Sequence, residues 1–529
     1  MKSRSFAWAI LLVLLSPFLI LLLSIFFSPA LFIEPSQTYH RLMALPIAHV
    51  FLLNTVQALL SSALAMIFGI FGAYGFIFAS MTLAERLTVH AISPFSIVSL
   101  RASVKLRMAI QSFEAFILLP NLAPVLLLIL AAMKYLPRMH GLWGIVILHA
   151  LLNLGLVAIS VVRLIHFRLE RLLELSLIEG VGKFKFFIRV LLPILKNDLL
   201  ALGLFVFAIC FSSFAIPLMM GGSRAVTVEV LIYQTMRVDG DLASALFMAL
   251  LQMVSLVALA VFLPKSGDRQ GLSQTMISMT TNLRASARGL VSSPFGLLFL
   301  LAPPLLIVAS LFDGFLKGVA EFASLQGLHA EIFEQFAGSI FVGAMTALLV
   351  SGLLMALTWI EPQDRLRKFF LGFAAPSSVL TGLSLIIVWR GTGFASLIKV
   401  SIALALIFTP AFYRMQWDAL LGGLSAQVRI AQTLGASQKM VFWEVLMPQL
   451  WPPLGSLAGL ASLWAWGDFA LSSVIAERQL TLAMAAQSLM DSYRLDVATV
   501  YIWMIAMGGL ISYVFFKGAG RVLGSKSEL

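Results

Sequence analysis

The chain has 529 residues, of which 60% are hydrophobic and 11% charged, and its mean hydropathy is +0.99. A soluble globular chain carries about 25% charged residues, so soluble enzymes, disordered tails and secreted disulfide scaffolds are excluded. The net charge of +12 sits in small basic groups between apolar runs, with no Lys/Arg block and interleaved aromatics; it reads as topogenic charge beside membrane spans and excludes nucleic acid as a partner.

A spanning helix needs about 20 mostly apolar residues. In chain order, such runs lie near 6–27, 50–80, 112–132, 142–164, 198–222 and 243–264. Six more lie near 294–312, 337–360, 369–389, 396–414, 454–476 and 496–516. The first follows Lys2 and Arg4 and has the look of a signal peptide. Its apolar stretch is too long for one and no small-residue cleavage site follows, so a retained helix is expected. The run near 294–312 carries Pro303 and Pro304. Cys210, the one cysteine, lies inside an apolar run and cannot form an internal disulfide, and clustered Cys/His metal sites are absent. The expected fold is an all-α polytopic membrane protein with about 12 transmembrane helices.

Lys and Arg alone set the orientation. With the N-terminus inside, the inner segments hold 26 of the 36 basic residues, seven of them between Arg163 and Lys196. The outer segment 313–336 is acidic, with Asp313, Glu321, Glu331 and Glu334 against Lys317. Both termini are therefore expected in the cytoplasm.

An offset of 255 residues aligns Glu174–Ala215 with Arg429–Ala470 without a gap. It pairs Gly180 with Gly435, Phe187 with Phe442, Pro193 with Pro448 and Phe214-Ala215 with Phe469-Ala470. Each copy begins in the long cytoplasmic loop after the fourth span of its half and runs into the fifth. Two parallel six-helix repeats follow, related by an axis along the membrane normal. The expected division is a first transmembrane domain over 1–264 with its loop at 165–197, a cytoplasmic linker over 265–293, and a second domain over 294–529 with its loop at 415–453.

Within the first loop, Leu169, Leu172, Leu173 and Leu177 recur at helical spacing with Arg168, Arg171 and Glu174 between them. That pattern predicts an amphipathic helix over 167–179 lying outside the bilayer. Gly180 suits the left-handed position that stops it, a short basic helix follows through Lys183 to Arg189, and Pro193 suits the first turn of the next span. A single such helix could rest on lipid headgroups. Two copies at matched positions favour docking to a partner that is itself duplicated.

These loops resemble the pattern of permease subunits of bacterial ABC importers: E-A-A, three residues, Gly, nine residues, Ile-x-Leu-Pro. Here it reads ELSLIEGVGKFKFFIRVLLP from Glu174 and RIAQTLGASQKMVFWEVLMP from Arg429, with 13 residues from Gly to Pro in both. The first copy has Leu175-Ser176 for the two alanines, and the second has Arg429 in place of the glutamate that helps seat the loop in a groove of the ATPase. The resemblance implies that Glu174, Gly180 and Pro193, with Arg429, Ala431, Gly435 and Pro448, couple to an ABC ATPase present in two copies. It further implies a type I importer permease fold in the cell inner membrane and a periplasmic or lipid-anchored substrate-binding protein as partner. Fused double permeases of this kind serve thiamine and ferric iron importers. CFSSFAIPLMMGG from Cys210, TVEVLIYQ from Thr227, ALLQMVSLV from Ala249, HALLN at His149 and WGDFA at Trp466 are most similar to the thiamine (or thiamine pyrophosphate) importer, with ferric iron as the alternative cargo.

No Walker A motif is present: Gly182-Lys183 is followed by Phe184 where a Ser or Thr would hold Mg²⁺. The chain itself is then no enzyme and needs no cofactor, and ATP and Mg²⁺ belong to the partner ATPase. Polar groups within spans are expensive in hydrocarbon and are candidates for the translocation path. Asp468 in WAWGDFALSS is the clearest, with Ser213 at its repeat position, and a cationic ligand would gain from its carboxylate. His149 and Asn153 share one helical face, where helix–helix hydrogen bonding is the competing role. A polytopic membrane enzyme would need a catalytic constellation that one intramembrane Asp and scattered His residues do not make. A secondary transporter or channel working without an ATPase would not require matched docking loops.

Overall fold

The computed structural model describes residues 12–17, 19–21, 23–24, 40, 43–88, 97–222, 225–262, 293–324, 326–360, 377–389 and 391–526. Every element among them is helical. The chain runs through α1 (Ile47–Thr88), α2 (Ile97–Ile117), α3 (Leu119–Leu122), α4 (Val125–Tyr135) and α5 (Leu142–Ile178). Then α6 (Lys183–Phe186) passes by a π-helical turn, Phe187–Leu191, into α7 (Leu192–Phe211), followed by α8 (Ala215–Met220), α9 (Val228–Arg237) and α10 (Leu242–Phe262). The second part holds α11 (Gly296–Phe312), α12 (Phe315–Ser324), α13 (Gln326–Ile360), α14 (Ser378–Val388) and α15 (Phe394–Phe412). A π-helical turn, Tyr413–Trp417, leads to α16 (Asp418–Thr433) and α17 (Gln438–Met440), and another, Val441–Leu446, leads to α18 (Met447–Trp466). Last come α19 (Ala470–Ile475), α20 (Leu482–Asp491) and α21 (Leu495–Lys526).

Six of the described stretches are long and apolar enough to cross a membrane: Ile47–Leu83, Leu142–His166, Lys183–Phe211, Glu331–Trp359, Phe394–Phe412 and Leu495–Ser525. A seventh arises if α11 and α12, bent by 40° at Asp313-Gly314, count as one. Half of the run expected at 6–27, the first eight residues of the run expected at 369–389, and the linker expected at 265–293 apart from Ser293 lie outside the described residues.

Several expected single spans are interrupted. The run at 112–132 is divided among α2, α3 and α4, because Pro120 and Pro124 lack the N–H that would carry the helical ladder on. The runs at 198–222 and 454–476 each break three residues before a short terminal helix, at 212–214 and 467–469. The amphipathic helix expected over 167–179 is not a separate element. It is the last third of α5, whose 37 residues extend about 55 Å against a hydrocarbon core of about 30 Å. No Gly or Pro occurs between Gly155 and Gly180, so nothing stops the helix at the bilayer surface.

Element bounds repeat with the sequence. α7 and α18, and likewise α8 and α19, begin and end 255 residues apart. The apolar cores cross between the two parts. One gathers Leu126, Ile129 and Leu130 of α4 with Ile216 of α8, Phe469, and Leu482, Ala486 and Met490 of α20. Its counterpart gathers Val228, Leu231 and Ile232 of α9 with Val379 and Leu383 of α14 and Val474 of α19.

Lipid tails are as apolar as leucine, so helices in a bilayer associate through close backbone approach and polar bonds rather than through the hydrophobic effect. Gly75 and Gly296 supply such an approach between α1 and α11: a Cβ on Gly296 would lie 2.1 Å from the Phe71 carbonyl oxygen, and one on Gly75 would lie 2.4 Å from the Gly296 carbonyl carbon. Both obstacles are backbone and cannot swing aside. We expect Gly296→Val to part α1 from α11 and lower thermal stability in detergent by about 1–3 kcal/mol. Gly352→Ala in α13, where a Cβ meets nothing within 4 Å, should be neutral or mildly stabilising in the same assay.

Candidate functional site

Two turns close the long helices in the same way. Gly180 has φ +63° and Gly435 φ +87°, and a Cβ at either would meet nothing within 4 Å. Glycine is required there by backbone conformation and not by crowding. Val181 N–H donates to Ser176 C=O at 2.9 Å, and Ala436 N–H to Ala431 C=O at 3.0 Å. Glu179 N–H donates to Leu175 C=O and Leu434 N–H to Ile430 C=O, at 3.0 and 3.1 Å. The first pair are six-to-one and the second five-to-one closures, and together they satisfy carbonyls that a helix end otherwise leaves free.

Beyond each turn the chain re-enters a helix toward Pro193 or Pro448, both within the first two positions of α7 and α18. A proline offers no N–H to the carbonyl four residues earlier and crowds it. The π-helical turns at Phe187–Leu191 and Val441–Leu446, each with one extra residue per hydrogen-bonded loop, absorb that misfit at the same repeat position.

Each turn is anchored beneath and apolar above. Phe186 and its repeat mate Val441 are buried. Arg168 forms an ion pair with Asp198 at 3.1 Å in the first copy. In the second, Gln438 Nε2 donates to the Trp359 carbonyl at 3.0 Å and Trp417 Nε1 to Thr358 Oγ1 at 3.0 Å. Outward, Leu175 and Ile430 are 56% and 60% exposed, and Ile188 and Trp443 are 44% and 47% exposed. Matched exposure at matched positions marks a duplicated apolar surface. Glu174 and Arg429 stand at equivalent places on α5 and α16, with Arg429 exposed and Ala431 half-buried.

At the far ends of α7 and α18 lie the two breaks. Asp468 is engaged with its own chain: Oδ1 accepts from Leu471 N–H at 3.4 Å, and Oδ2 from Ser472 N–H at 3.1 Å and Ser472 Oγ at 3.2 Å. The carboxylate thus caps the first turn of α19, and the residue is half-buried. In the first copy, Ser213 holds the Asp468 position and Pro217 the Ser472 position. Pro217 has no N–H or hydroxyl to give, so the two bonds made by Ser472 have no counterpart there, and Ile216 at the Leu471 position holds the remaining amide.

His149 and Asn153 belong to a buried polar cluster. His149 Nδ1 lies 2.8 Å from Gln57 Nε2, and Asn153 Nδ2 donates to His149 C=O at 2.9 Å and toward Cys210 Sγ at 3.8 Å. Asn54 Nδ2 donates to the Phe211 carbonyl, the last of α7, at 3.0 Å. Asn54 and Gln57 were not singled out in the sequence; their signal was the polar series Asn54, Gln57 and Ser61 on one face of an apolar helix. Among the described residues no hydrogen bond joins this cluster to Asp468 or Ser213, and no group of three or more His, Cys, Asp or Glu is placed to hold a metal.

If Asp468 caps α19, Asp468→Ala should loosen the helix by about 1 kcal/mol, the usual cost of losing a capping side chain. The amides of Leu471 and Ser472 should then exchange with solvent several-fold faster, while Asp468→Asn, which keeps one acceptor oxygen, should fall between.

No protein-family model and no solved structure matches the chain. Curated relatives do. The thiamine transport system permease protein ThiP of Escherichia coli K12 is 26% identical over 412 residues, 72% of this chain and 74% of the relative. ThiP of Salmonella typhimurium LT2 is 26% identical over 381 residues, covering 67% of this chain and 68% of the relative. ThiP of Brucella abortus 2308 is 24% identical over 422 residues, 74% of each. Over this share of its length, with its membrane-length apolar helices, the chain resembles the permease proteins of thiamine transport systems.

Proposed function

We propose that this chain is the transmembrane permease subunit of a binding-protein-dependent importer for thiamine or its phosphates, driven by a separate ATPase. The observation that carries this reading is the pair of glycine turns, closed by the same hydrogen bonds 255 residues apart and each flanked by exposed apolar side chains. A duplicated surface suits a duplicated partner, and two ATPase domains supply one. The relatives' name as thiamine transport permeases supports the cargo.

In this reading the chain comprises two fused permease domains, 1–264 and 294–529, joined by a cytoplasmic linker. It lies in the cell inner membrane as about twelve spans with both termini in the cytoplasm. The turns face the cytoplasm, where ATPase subunits bind ATP and Mg²⁺, and a substrate-binding protein docks at the opposite end. The geometry offers a route for coupling. A displacement at Gly180 or Gly435 passes through the tightly bonded turn into α7 or α18, a rod of about 30 Å, and arrives at the breaks beside Ser213 and Asp468. Asp468 places a carboxylate at one break and Ser213 a neutral group at the other, an asymmetry suited to a non-symmetric cation. His149 and Asn153 stand behind the first break.

The direct test is uptake of labelled thiamine by cells in which this chain is the sole thiamine permease. Gly180→Val and Gly435→Val each force a β-branched residue into left-handed geometry at a cost of about 1–2 kcal/mol. Either should keep the permease in the membrane yet uncouple ATP hydrolysis from uptake; wild-type coupling in both would remove the turns from the ATPase interface.

The two sockets should also be unequal. A basic residue shared by identical ATPase subunits attracts Glu174 and repels Arg429. Glu174→Ala should therefore weaken ATPase association by up to about 1 kcal/mol, the scale of a solvated ion pair, and Arg429→Ala should not. Titrating ATPase onto permease in nanodiscs reads the difference, and equal losses would show that this position does not govern docking.

A further inference from the structure

Arg237 closes the last turn of α9, in the first part of the chain, and its guanidinium reaches α19 in the second. Nε donates to the Val474 carbonyl at 2.8 Å and Nη2 to the Ala476 carbonyl at 2.9 Å. These carbonyls lie at the C-terminal end of α19, where a helix leaves its acceptors without intrahelical donors. A planar guanidinium meets two such oxygens at once in a way a lysine ammonium does not. The contact is backed by packing, since Val228, Leu231, Ile232 and Met236 of α9 share a core with Val379 and Val474. Asp468 holds the opposite end of α19. The short helix is thus fixed by its own part at one end and by the other part at its second.

The repeat supplies an internal contrast. α20 matches α9 in length at an offset of 254, one residue short of the repeat, and ends on Asp491 where α9 ends on Arg237. A carboxylate has no N–H, so it cannot close α8 as Arg237 closes α19; Asp491 Oδ2 instead accepts from Gln487 one turn back at 3.5 Å. The last carbonyl of α8, that of Met220, accepts from Gly141 N–H at 2.7 Å, within the first part itself. One helix end is therefore closed across the two parts and its mate is closed within one part.

We propose that Arg237 is a latch between the two parts of the chain, at the end of the bundle opposite the Gly180 and Gly435 turns, and that its release from Val474 and Ala476 accompanies opening of the path at that end. The one-sided arrangement ties the end of α19 to the other part by hydrogen bonds, whereas α8, although packed against α20, has its end bonded only within its own part. The latch rests on the transport reading only for its role in opening; its holding of the two parts is testable without it.

The test uses the full-length permease in lipid nanodiscs. Spin labels go on Val238→Cys and Arg478→Cys, exposed positions just beyond α9 and α19, with the buried Cys210 left in place. With Arg237 present the inter-label distance should be narrowly distributed; Arg237→Ala should shift or broaden it by several ångströms. Arg237→Gln, whose amide still donates to a carbonyl, should give an intermediate width and guards against a variant that fails to fold. Asp491→Asn, at the mate position, should leave the distance unchanged. An Arg237→Ala distribution identical to the parent's, or the same broadening from Asp491→Asn, would overturn the latch. In the importer assembled with its ATPase, Arg237→Ala should also raise ATP hydrolysis without substrate several-fold, and unaltered hydrolysis would overturn the role in opening. If the parent assembly takes up no thiamine while the label distance still responds to Arg237, the transport reading fails and the latch stands.

Discussion

The structure depends on one constraint: a helix that ends or breaks in an apolar surrounding leaves carbonyls and amides that no water can satisfy. The polar side chains inside the bundle are placed where those groups are. Asn54 takes the last carbonyl of α7, Asp468 the first amides of α19, and Arg237 the last carbonyls of the same helix. Lys399, nearly fully buried, donates to the carbonyls of Trp389 and Gly391 beyond α14. Lys134 of α4 donates to the Ser310 and Asp313 carbonyls at the end of α11 and lies 3.9 Å from Asp496. Lys134, Arg237 and Lys399 are among the ten basic residues outside the segments expected to be cytoplasmic. Each is engaged at a helix C-terminus, where a cation offsets the negative end of the aligned peptide dipoles.

The same constraint explains why the two copies differ. At the breaks, the pairs Ser213 with Pro217 and Asp468 with Ser472 stand at equivalent positions. At the fourth residue on, Ser472 gives the Asp468 carboxylate both an N–H and a hydroxyl, and Pro217 offers neither. The exchange of Ser–Pro for Asp–Ser makes the two breaks unequal although the backbone bounds of the repeat match. Arg237 against Asp491 continues that inequality one element further along the chain.

The glycines divide into two kinds. Gly180 and Gly435 stand in open space and answer a demand of backbone conformation. Gly75, Gly296, Gly455 and Gly520 answer a demand of distance, since a Cβ at Gly455 would lie 2.6 Å from the Phe516 carbonyl oxygen and one at Gly520 would lie 2.5 Å from that of Trp451. The first kind shapes the two exposed turns, and the second lets helices approach backbone to backbone.

Composition, hydropathy and the 255-residue offset determined the all-helical membrane class, the places of the main apolar runs and the two matched turns. These are local or periodic properties, carried by the size and polarity of residues near one another in the chain. Gly180 and Gly435 were legible because left-handed backbone selects for glycine, and Pro193 and Pro448 because a first helical turn tolerates a missing N–H. The sequence pointed to Asp468 as a polar group in a span, but which atoms its oxygens meet was a matter of three-dimensional placement. So was the continuation of α5 through the region expected as a separate helix, since the signal for an amphipathic segment does not mark where a preceding helix stops. The partners of Asn54, Gln57, Lys399 and Arg237 belong to the tertiary structure alone. Arg237 and Val474 lie 237 residues apart, and no local pattern records which helix end, among so many with unpaired carbonyls, a distant cation will close.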